Sequence, residues 1–298
     1  MYDIIIIGAG PAGLTSALYA LRANKKVLIF EAKSYGGQII KANKISNYPG
    51  IPNISGFEYA TILYSQVIDL KGEILYETVV RINEDKTVVT NIGTYKAKAI
   101  IIATGAENRK LGLKNEAEYI GRGISYCATC DGNFYKNKKV AVVGGGNTAL
   151  EDAIYLSSLA QKVYLIHRRS EFKGEEKLLD ELKTKSNVTF ILNSNVTNLN
   201  GNGHIESIEV IDNDNNVSIL KIDGLFIAVG QVPKNEIFAN LINIDKNGYI
   251  ESLDGVHTNI SSIYVAGDAR VKDLRQLVTA TSDGAIAATT AIKEMVNK

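Results

Sequence analysis

Hydrophobic positions fall along this chain in a strand rhythm and a helix rhythm that alternate twice. Residues 2–7 form a continuous, mostly β-branched apolar run, which predicts a strand buried on both faces. Next come a glycine-rich turn, an apolar-periodic stretch to about Arg22 that predicts a helix, and a short strand from Val27 to Phe30 that ends at Glu31. Phe57 to Leu70 again has helical periodicity. From Gly72 to Ala103 the pattern breaks into short alternating runs with turn residues at 83–85 and 91–93. This predicts a β-meander rather than another βαβ unit. Lys139 to Val143 then restarts the first pattern: strand, glycine-rich turn, helix to about Leu159, strand from Val163 to Ile166. A helix from Glu175 to Lys185 and further strands follow, and Leu225 to Gly230 closes the segment. A last strand, Ile263 to Val265, precedes a terminal helix that starts near Arg275, Gln276 and Leu277.

Two strand–turn–helix–strand units within 298 residues predict an α/β fold with two Rossmann-like, three-layer nucleotide-binding domains. The second is inserted into the first. Residues 1–110 and 232–298 make the first domain, and residues 111–231 make the second. Composition agrees, since 45% hydrophobic residues are ample for a large core. The 33 basic and 32 acidic residues leave a net charge of +1, which argues against a nucleic-acid or membrane-surface partner. The apolar N-terminal run lacks a basic lead-in and meets a Gly-Ala-Gly turn at once, so it reads as a strand rather than a signal peptide. No apolar run approaches the roughly 20 residues of a membrane span. A cytoplasmic protein is the expectation.

The first turn reads Gly8-Ala9-Gly10-Pro11-Ala12-Gly13, a G-x-G-x-x-G between strand and helix. Such glycines let the backbone approach a pyrophosphate, and the helix start supplies N–H groups. Glu31, 18 residues past Gly13, is placed to accept from ribose hydroxyls. The second turn, Gly144-Gly145-Gly146-Asn147-Thr148-Ala149, is a G-x-G-x-x-A in the same place. Gly8 to Glu31 is 23 residues and so is Gly144 to His167, so His167, Arg168 and Arg169 stand where the first unit puts its carboxylate. A carboxylate there repels a phosphate, whereas two guanidiniums suit a 2′-phosphate. The first site should take an unphosphorylated ribose and the second NADPH; a merely solvated strand end is the alternative for the arginines. Ala99 to Thr104-Gly105 is a buried strand ending in a small-residue turn suited to close packing by a ligand. Asp268, at the end of its strand beside Gly267, suits either a ligand hydroxyl or a simple helix cap. Gly36-Gly37-Gln38 and the loop around Asn47 read only as turns.

The two cysteines of the chain sit in one C-x-x-C, Cys127-Ala128-Thr129-Cys130, followed by Asp131. Zinc usually needs four ligands, and the three histidines, His167, His204 and His257, have no metal-like spacing. A dithiol/disulfide redox pair is the reading that remains, with both sulfurs near one helix start that favours the thiolate. Asp131 opposes a thiolate by charge, so a role as proton donor and acceptor in thiol exchange fits it better. An ordinary turn or N-cap aspartate is the alternative. Electrons would pass from one nucleotide, through the other, onto the cysteine pair.

Taken together, the Gly8–Gly13 turn, Gly36-Gly37-Gln38, Cys127 to Gly132, Gly144 to Ala149, His167-Arg168-Arg169, Ala266-Gly267-Asp268 and Arg275-Gln276 resemble the low-molecular-weight thioredoxin reductases of bacteria. The resemblance implies FAD in the first domain, held by Gly8, Gly10, Pro11, Ala12, Gly13, Glu31, Gly36, Gly37, Gln38, Asn47, Thr104, Gly105, Asp268, Arg275, Gln276 and Leu277. It implies NADPH in the second, held by Gly144, Gly146, Asn147, Thr148, His167, Arg168 and Arg169. It further implies that Cys130 faces the flavin, that Cys127 attacks the thioredoxin disulfide, that Asp131 is the acid/base residue, and that the chain works as a homodimer whose domains move relative to one another. The family commonly has His-Arg-Arg-x-x-x-Arg, and here the last position is Lys173, which keeps the charge but loses the planar fork. Two rival readings keep the fold: a reductase serving another disulfide carrier, and a flavin or nucleotide sensor without turnover.

Overall fold

The computed structural model describes residues 1–42 and 44–296, which fold into two compact units. Unit 1 comprises residues 1–107 and 232–298, and unit 2 comprises residues 108–231, inserted between those halves.

In unit 1 the chain runs through β1 (Tyr2–Ile7), α1 (Pro11–Arg22), β2 (Val27–Phe30), α2 (Gly56–Asp69), β3 (Glu73–Leu75), β4 (Val79–Ile82), β5 (Thr87–Thr90) and β6 (Thr94–Ile102). It leaves along β7 (Ala106–Asn108). Unit 2 holds α3 (Glu116–Tyr119), β8 (Ile124–Ser125), α4 (Ala128–Asp131), β9 (Lys139–Gly144), α5 (Asn147–Ser157), β10 (Lys162–Ile166), α6 (Glu176–Lys183), β11 (Val188–Ile191), β12 (Ser194–Asn200), β13 (Ser207–Asp212), β14 (Val217–Lys221) and β15 (Gly224–Ala228). The chain returns along β16 (Gln231–Pro233), and β17 (Ile263–Val265) and α7 (Leu277–Val296) complete unit 1.

The parallel core of unit 1 has the strand order β3-β2-β1-β6-β17. That of unit 2 has the order β11-β10-β9-β15-β8. Each unit therefore repeats one plan, with the strand that leads into its glycine turn, β1 or β9, central. Side-chain alternation sorts each sheet into two faces. In β1, Ile4 and Ile6 pack with α1, α2 and α7, while Ile5 and Ile7 pack with β4, β5 and the 238–250 segment. Unit 2 divides likewise: Val140 and Val142 of β9 face α5 and α6, and Ala141 faces the β12–β14 sheet. Both units are thus three-layered. Ile4, Ile5 and Ile6 are fully buried, and each such side chain contributes roughly 1.5–3 kcal/mol.

One expectation needs correction. The stretch from Gly72 to Ala103 is not all meander, because β3 pairs parallel with β2, making β2–α2–β3 a βαβ unit. Only β4, β5 and the start of β6 pair antiparallel, and β6 then runs on into the parallel sheet beside β1. A three-residue edge strand is too short to display a period, so its pairing partner was invisible in the pattern. Helix ends follow local chemistry: Ser55 accepts from the Glu58 N–H at 3.1 Å to start α2, and Pro11 occupies the first turn of α1.

Candidate functional site

At the first glycine turn, backbone approach leaves no room for side chains. Gly8 has φ 109° and a Cβ on it would overlap the Ala103 carbonyl, while a Cβ on Gly13 would overlap the Gly8 carbonyl. Glu31 braces the turn: Oε2 accepts from the Ala9 N–H and Oε1 from the Lys33 N–H, both at 2.9 Å. Gly36 donates its N–H to the Ala9 carbonyl at 2.7 Å. A Cβ on Gly37 would sit 3.2 Å from the Gly10 Cα, so this glycine pair lies directly against the turn. Gln38 follows in the short helical turn Gly37–Lys41 and accepts from Lys41 Nζ at 2.9 Å. Asn47 Nδ2 donates to Gln276 Oε1 at 3.1 Å, which brings two distant expected residues together.

The β6 and β17 ends complete this cluster. Thr104 hydrogen-bonds the fully buried Asn235 at 2.9 Å, and Asn235 Nδ2 donates to the Gly248 and Ala269 carbonyls. Gly267 packs on Ala12 at the start of α1, and Asp268 follows it. Asp268 Oδ1 is sealed from solvent with no hydrogen-bond partner among the described residues, only Lys272 Nζ at 3.8 Å, and Arg275 Nε is likewise buried without a hydrogen bond. Burial pushes the Asp268 carboxyl above its ordinary range, against the pull of Lys272 and Arg275. Asp283, on α7, accepts from Arg270 Nε and Nη2, Lys272 Nζ and the Gly267 N–H at 2.9–3.1 Å. Burial raises its pKa, but these cations more than offset burial and hold it low. The Arg275 guanidinium lies 4.1 Å from the Tyr249 ring centroid, and Leu277 is buried at the helix start. Asn235, Asp283, Arg270, Lys272 and Tyr249 escaped the sequence reading, since none lies in a local motif and only the fold gathers them.

The second turn, in unit 2, is built in parallel but braced differently. A Cβ on Gly144 would overlap the Ala228 carbonyl, and one on Gly145 would overlap the His167 ring. His167 is buried there, stacked on Phe172 with ring centroids 5.0 Å apart and its Nε2 3.1 Å from the Glu171 carbonyl. Burial, then the Arg168 and Arg169 charges, lower its pKa, so the ring is neutral. His167 thus packs against the middle of its turn as Glu31 does at the first, while Arg168 and Arg169 are exposed. Lys173 N–H donates to the Gly145 carbonyl at 2.7 Å, bringing a third cation beside the turn. Gly146, Asn147 and Thr148 are exposed, and Asn147 is held by Glu175 through two 2.8 Å bonds.

The cysteine motif follows β8. Cys127 and Cys130 form a disulfide, and Cys127 caps α4 by accepting the Cys130 N–H on its Sγ at 3.2 Å. Gly132 packs against Tyr155 and Leu156 of α5, so the motif rests on the helix that follows the second turn. Asp131 Oδ2 accepts from Ser125 Oγ at 2.6 Å. Burial raises the Asp131 pKa, and the Ser125 hydrogen bond opposes that rise. Asp152, half-buried on α5, is pushed up to about 7 by burial and then by Glu151. In strand order β8 stands in unit 2 where β17 stands in unit 1, so the cysteines and Asp268 follow equivalent strands.

Residues 2–284 match the pyridine nucleotide-disulphide oxidoreductases. The chain belongs to that family. Within it the chain belongs to the bacterial-type thioredoxin reductases: it is 44% identical over 298 residues to a thioredoxin reductase of Listeria monocytogenes, covering 98% of this chain and 93% of the relative. It is 41% identical over 293 residues to that of Bacillus subtilis, covering 97% and 93%. The crystal structure of a thioredoxin reductase from Streptococcus pyogenes superposes with a TM-score of 0.95 at 40% identity, covering 100% of this chain and 99% of that one. Among the described residues no helix is long and apolar enough to cross a membrane.

Proposed function

We propose that this chain is an NADPH-dependent reductase that carries electrons through FAD and the Cys127–Cys130 pair to the disulfide of thioredoxin. The observation that carries the reading is the redox motif itself: a disulfide capping α4, with a half-buried carboxyl beside it, in the same unit as a glycine turn edged by cations. Family membership supports it, since the two groups that such oxidoreductases use fit the two turns. When bound, NADPH supplies a hydride and FAD relays its two electrons.

FAD is assigned to unit 1. There Asp268 offers a buried, unpartnered acceptor oxygen to a ligand hydroxyl, and Arg275 Nε offers a buried donor. Gly10 has nothing closer than 3.9 Å to where a Cβ would stand, and Gly8, Pro11, Ala12 and Gly13, with Gly36 and Gly37, shape the tight turn and helix start around it for a pyrophosphate. Glu31, Gln38, Asn47, Thr104, Gly105, Gln276 and Leu277 complete the set. NADPH is assigned to unit 2, on Gly144, Gly146, Asn147 and Thr148, with Arg168 and Arg169 on the 2′-phosphate. His167 keeps its place in the set as a neutral support beneath Gly145 rather than as a charge on the phosphate.

The Cys130 N–H directed at Cys127 Sγ favours the thiolate on Cys127, which suits it to attack the partner. That attack makes a mixed disulfide. Cys130 then attacks the Cys127 sulfur, re-forming the internal disulfide and releasing thioredoxin with two new thiols. Asp131 moves one of the two protons. A thiol pair of this kind is kept reduced in the cytoplasm, where we place the protein, and as a homodimer it should sediment at twice the chain mass.

The test is turnover of the FAD-loaded protein with NADPH and oxidised thioredoxin, followed by thiol counting. Two new thioredoxin thiols per NADPH are expected, and none from Cys130→Ser, which still oxidises NADPH at the flavin. Thiol production by Cys130→Ser at the parent rate would sink the reading.

A further inference from the structure

Ser125 is the last residue of β8, 4% exposed, and its position is fixed by pairing opposite Phe226. Its Oγ has three neighbours. The Cys127 N–H donates to it at 3.1 Å, Asp131 Oδ2 lies 2.6 Å away, and the Cys127 carbonyl oxygen lies 3.3 Å away. A hydroxyl has one proton and two lone pairs. The Cys127 N–H takes one lone pair whatever the state of Asp131.

The remaining proton and lone pair match both forms of the carboxyl. With Asp131 ionised, Ser125 donates to Oδ2. With Asp131 protonated, the acid O–H donates into the free lone pair of Ser125, and the serine proton turns to the Cys127 carbonyl. That carbonyl also accepts the Asp131 N–H at 3.1 Å, so it keeps a partner in either state. No heavy atom has to move.

We propose that Ser125 is a positioning residue for Asp131, a hydroxyl rotor that follows the protonation of the carboxyl and keeps it aimed while it passes a proton. The proposal rests on the acid–base role assigned to Asp131 above. The step balances without an outside reactant: Asp131 takes a proton from one cysteine thiol, leaving the attacking thiolate, and gives it to one sulfur leaving the partner disulfide. The second thiol proton goes to the other leaving sulfur. The two electrons travel with the sulfurs, and one disulfide is exchanged for another. Alanine at 125 would remove the Ser125 hydrogen bond from the Cys127 N–H and from one Asp131 oxygen, in a place where burial already disfavours the charge.

The experiment follows single-turnover thiol exchange between reduced, FAD-loaded protein and oxidised thioredoxin across the neutral pH range, for the parent, Ser125→Ala, Ser125→Thr and Asp131→Asn. The Asp131 carboxyl is titrated alongside by infrared difference spectroscopy of the oxidised protein. Ser125→Ala should slow exchange roughly tenfold to a hundredfold and move the Asp131 limb of the profile and its infrared midpoint to higher pH. Ser125→Thr, which keeps the hydroxyl, should follow the parent. Should Ser125→Ala not fold, Ser125→Gly makes the same deletion and should give the same displacement. A uniform slowing with the limb and midpoint in place would mean a packing role only and overturn the proposal. Asp131→Asn separates the levels: exchange as fast as the parent defeats the acid–base reading itself, whereas slow exchange with an unmoved Ser125→Ala profile defeats only the rotor.

Discussion

Asp268 sits in the turn after β17 with one carboxylate oxygen shielded from water and accepting no hydrogen bond among the described residues, Lys272 Nζ standing 3.8 Å away. Such an atom costs free energy in the empty fold and recovers it when a ligand donates to it. Asp268→Ala should therefore weaken FAD binding roughly tenfold to a hundredfold, read by quenching of flavin fluorescence, while the melting temperature of the FAD-free protein holds or rises. A fall in that melting temperature would show the carboxylate to be structural. Arg168 and Arg169 lead to the opposite kind of variant, because both side chains are exposed. Replacing both by alanine should raise KM for NADPH by about tenfold or more and leave KM for NADH nearly unmoved, and equal effects on the two would reject the phosphate clamp. These residues were legible in the sequence because a turn and a register placed them. Asn235 and Ser125 were not. One joins Thr104 to Ala269 across 131 and 34 residues, and the other reaches Asp131 across the cysteine motif, from β8 to α4.

At the scale of elements, the end of α7 is tied to the 254–264 segment of unit 1 through His257 and Tyr264. His257 places Nδ1 2.5 Å from Asp254 and Nε2 2.6 Å from Glu294, and Tyr264 of β17 donates to the same Glu294 at 2.8 Å. The Glu294 hydrogen bond first, then that to Asp254, raises the His257 pKa above its ordinary 6.5. A raised histidine contributes stability that is fully present below that ordinary value and fades as pH rises through the folded value. His257→Ala should thus lower the melting temperature more at pH 6 than at pH 9, and an equal loss at both would refute the charged latch. The glycine turns and their flanking strands could be read from periodicity because each is long or marked by glycine. The parallel pairing of β3 could not, since three residues carry no period and the partner strand is 45 residues away, from Leu28 to Glu73.

On the scale of the whole molecule, one architecture is used twice with different chemistry at equivalent strand ends. After β17 comes a buried carboxylate with an oxygen that accepts no hydrogen bond among the described residues, and after β8 comes a disulfide with a half-buried carboxyl beside it. Braces under the two turns differ in the same spirit: Glu31 donates nothing and accepts two N–H groups, whereas His167 is a neutral ring that leaves the cations beside it free for phosphate. Sedimentation velocity should give a particle of twice the chain mass, and a monomer at micromolar concentration would remove the homodimer from the proposal. The most direct test of the central claim is anaerobic stopped-flow absorbance of the FAD-loaded protein, mixed first with NADPH and then with oxidised thioredoxin. The flavin band should stay bleached once two equivalents of NADPH have filled both the flavin and the Cys127–Cys130 disulfide, and return only when thioredoxin is added, with Cys127→Ser failing to return it. A flavin that stays oxidised in NADPH, or that recovers at the same rate with and without thioredoxin, would contradict the account.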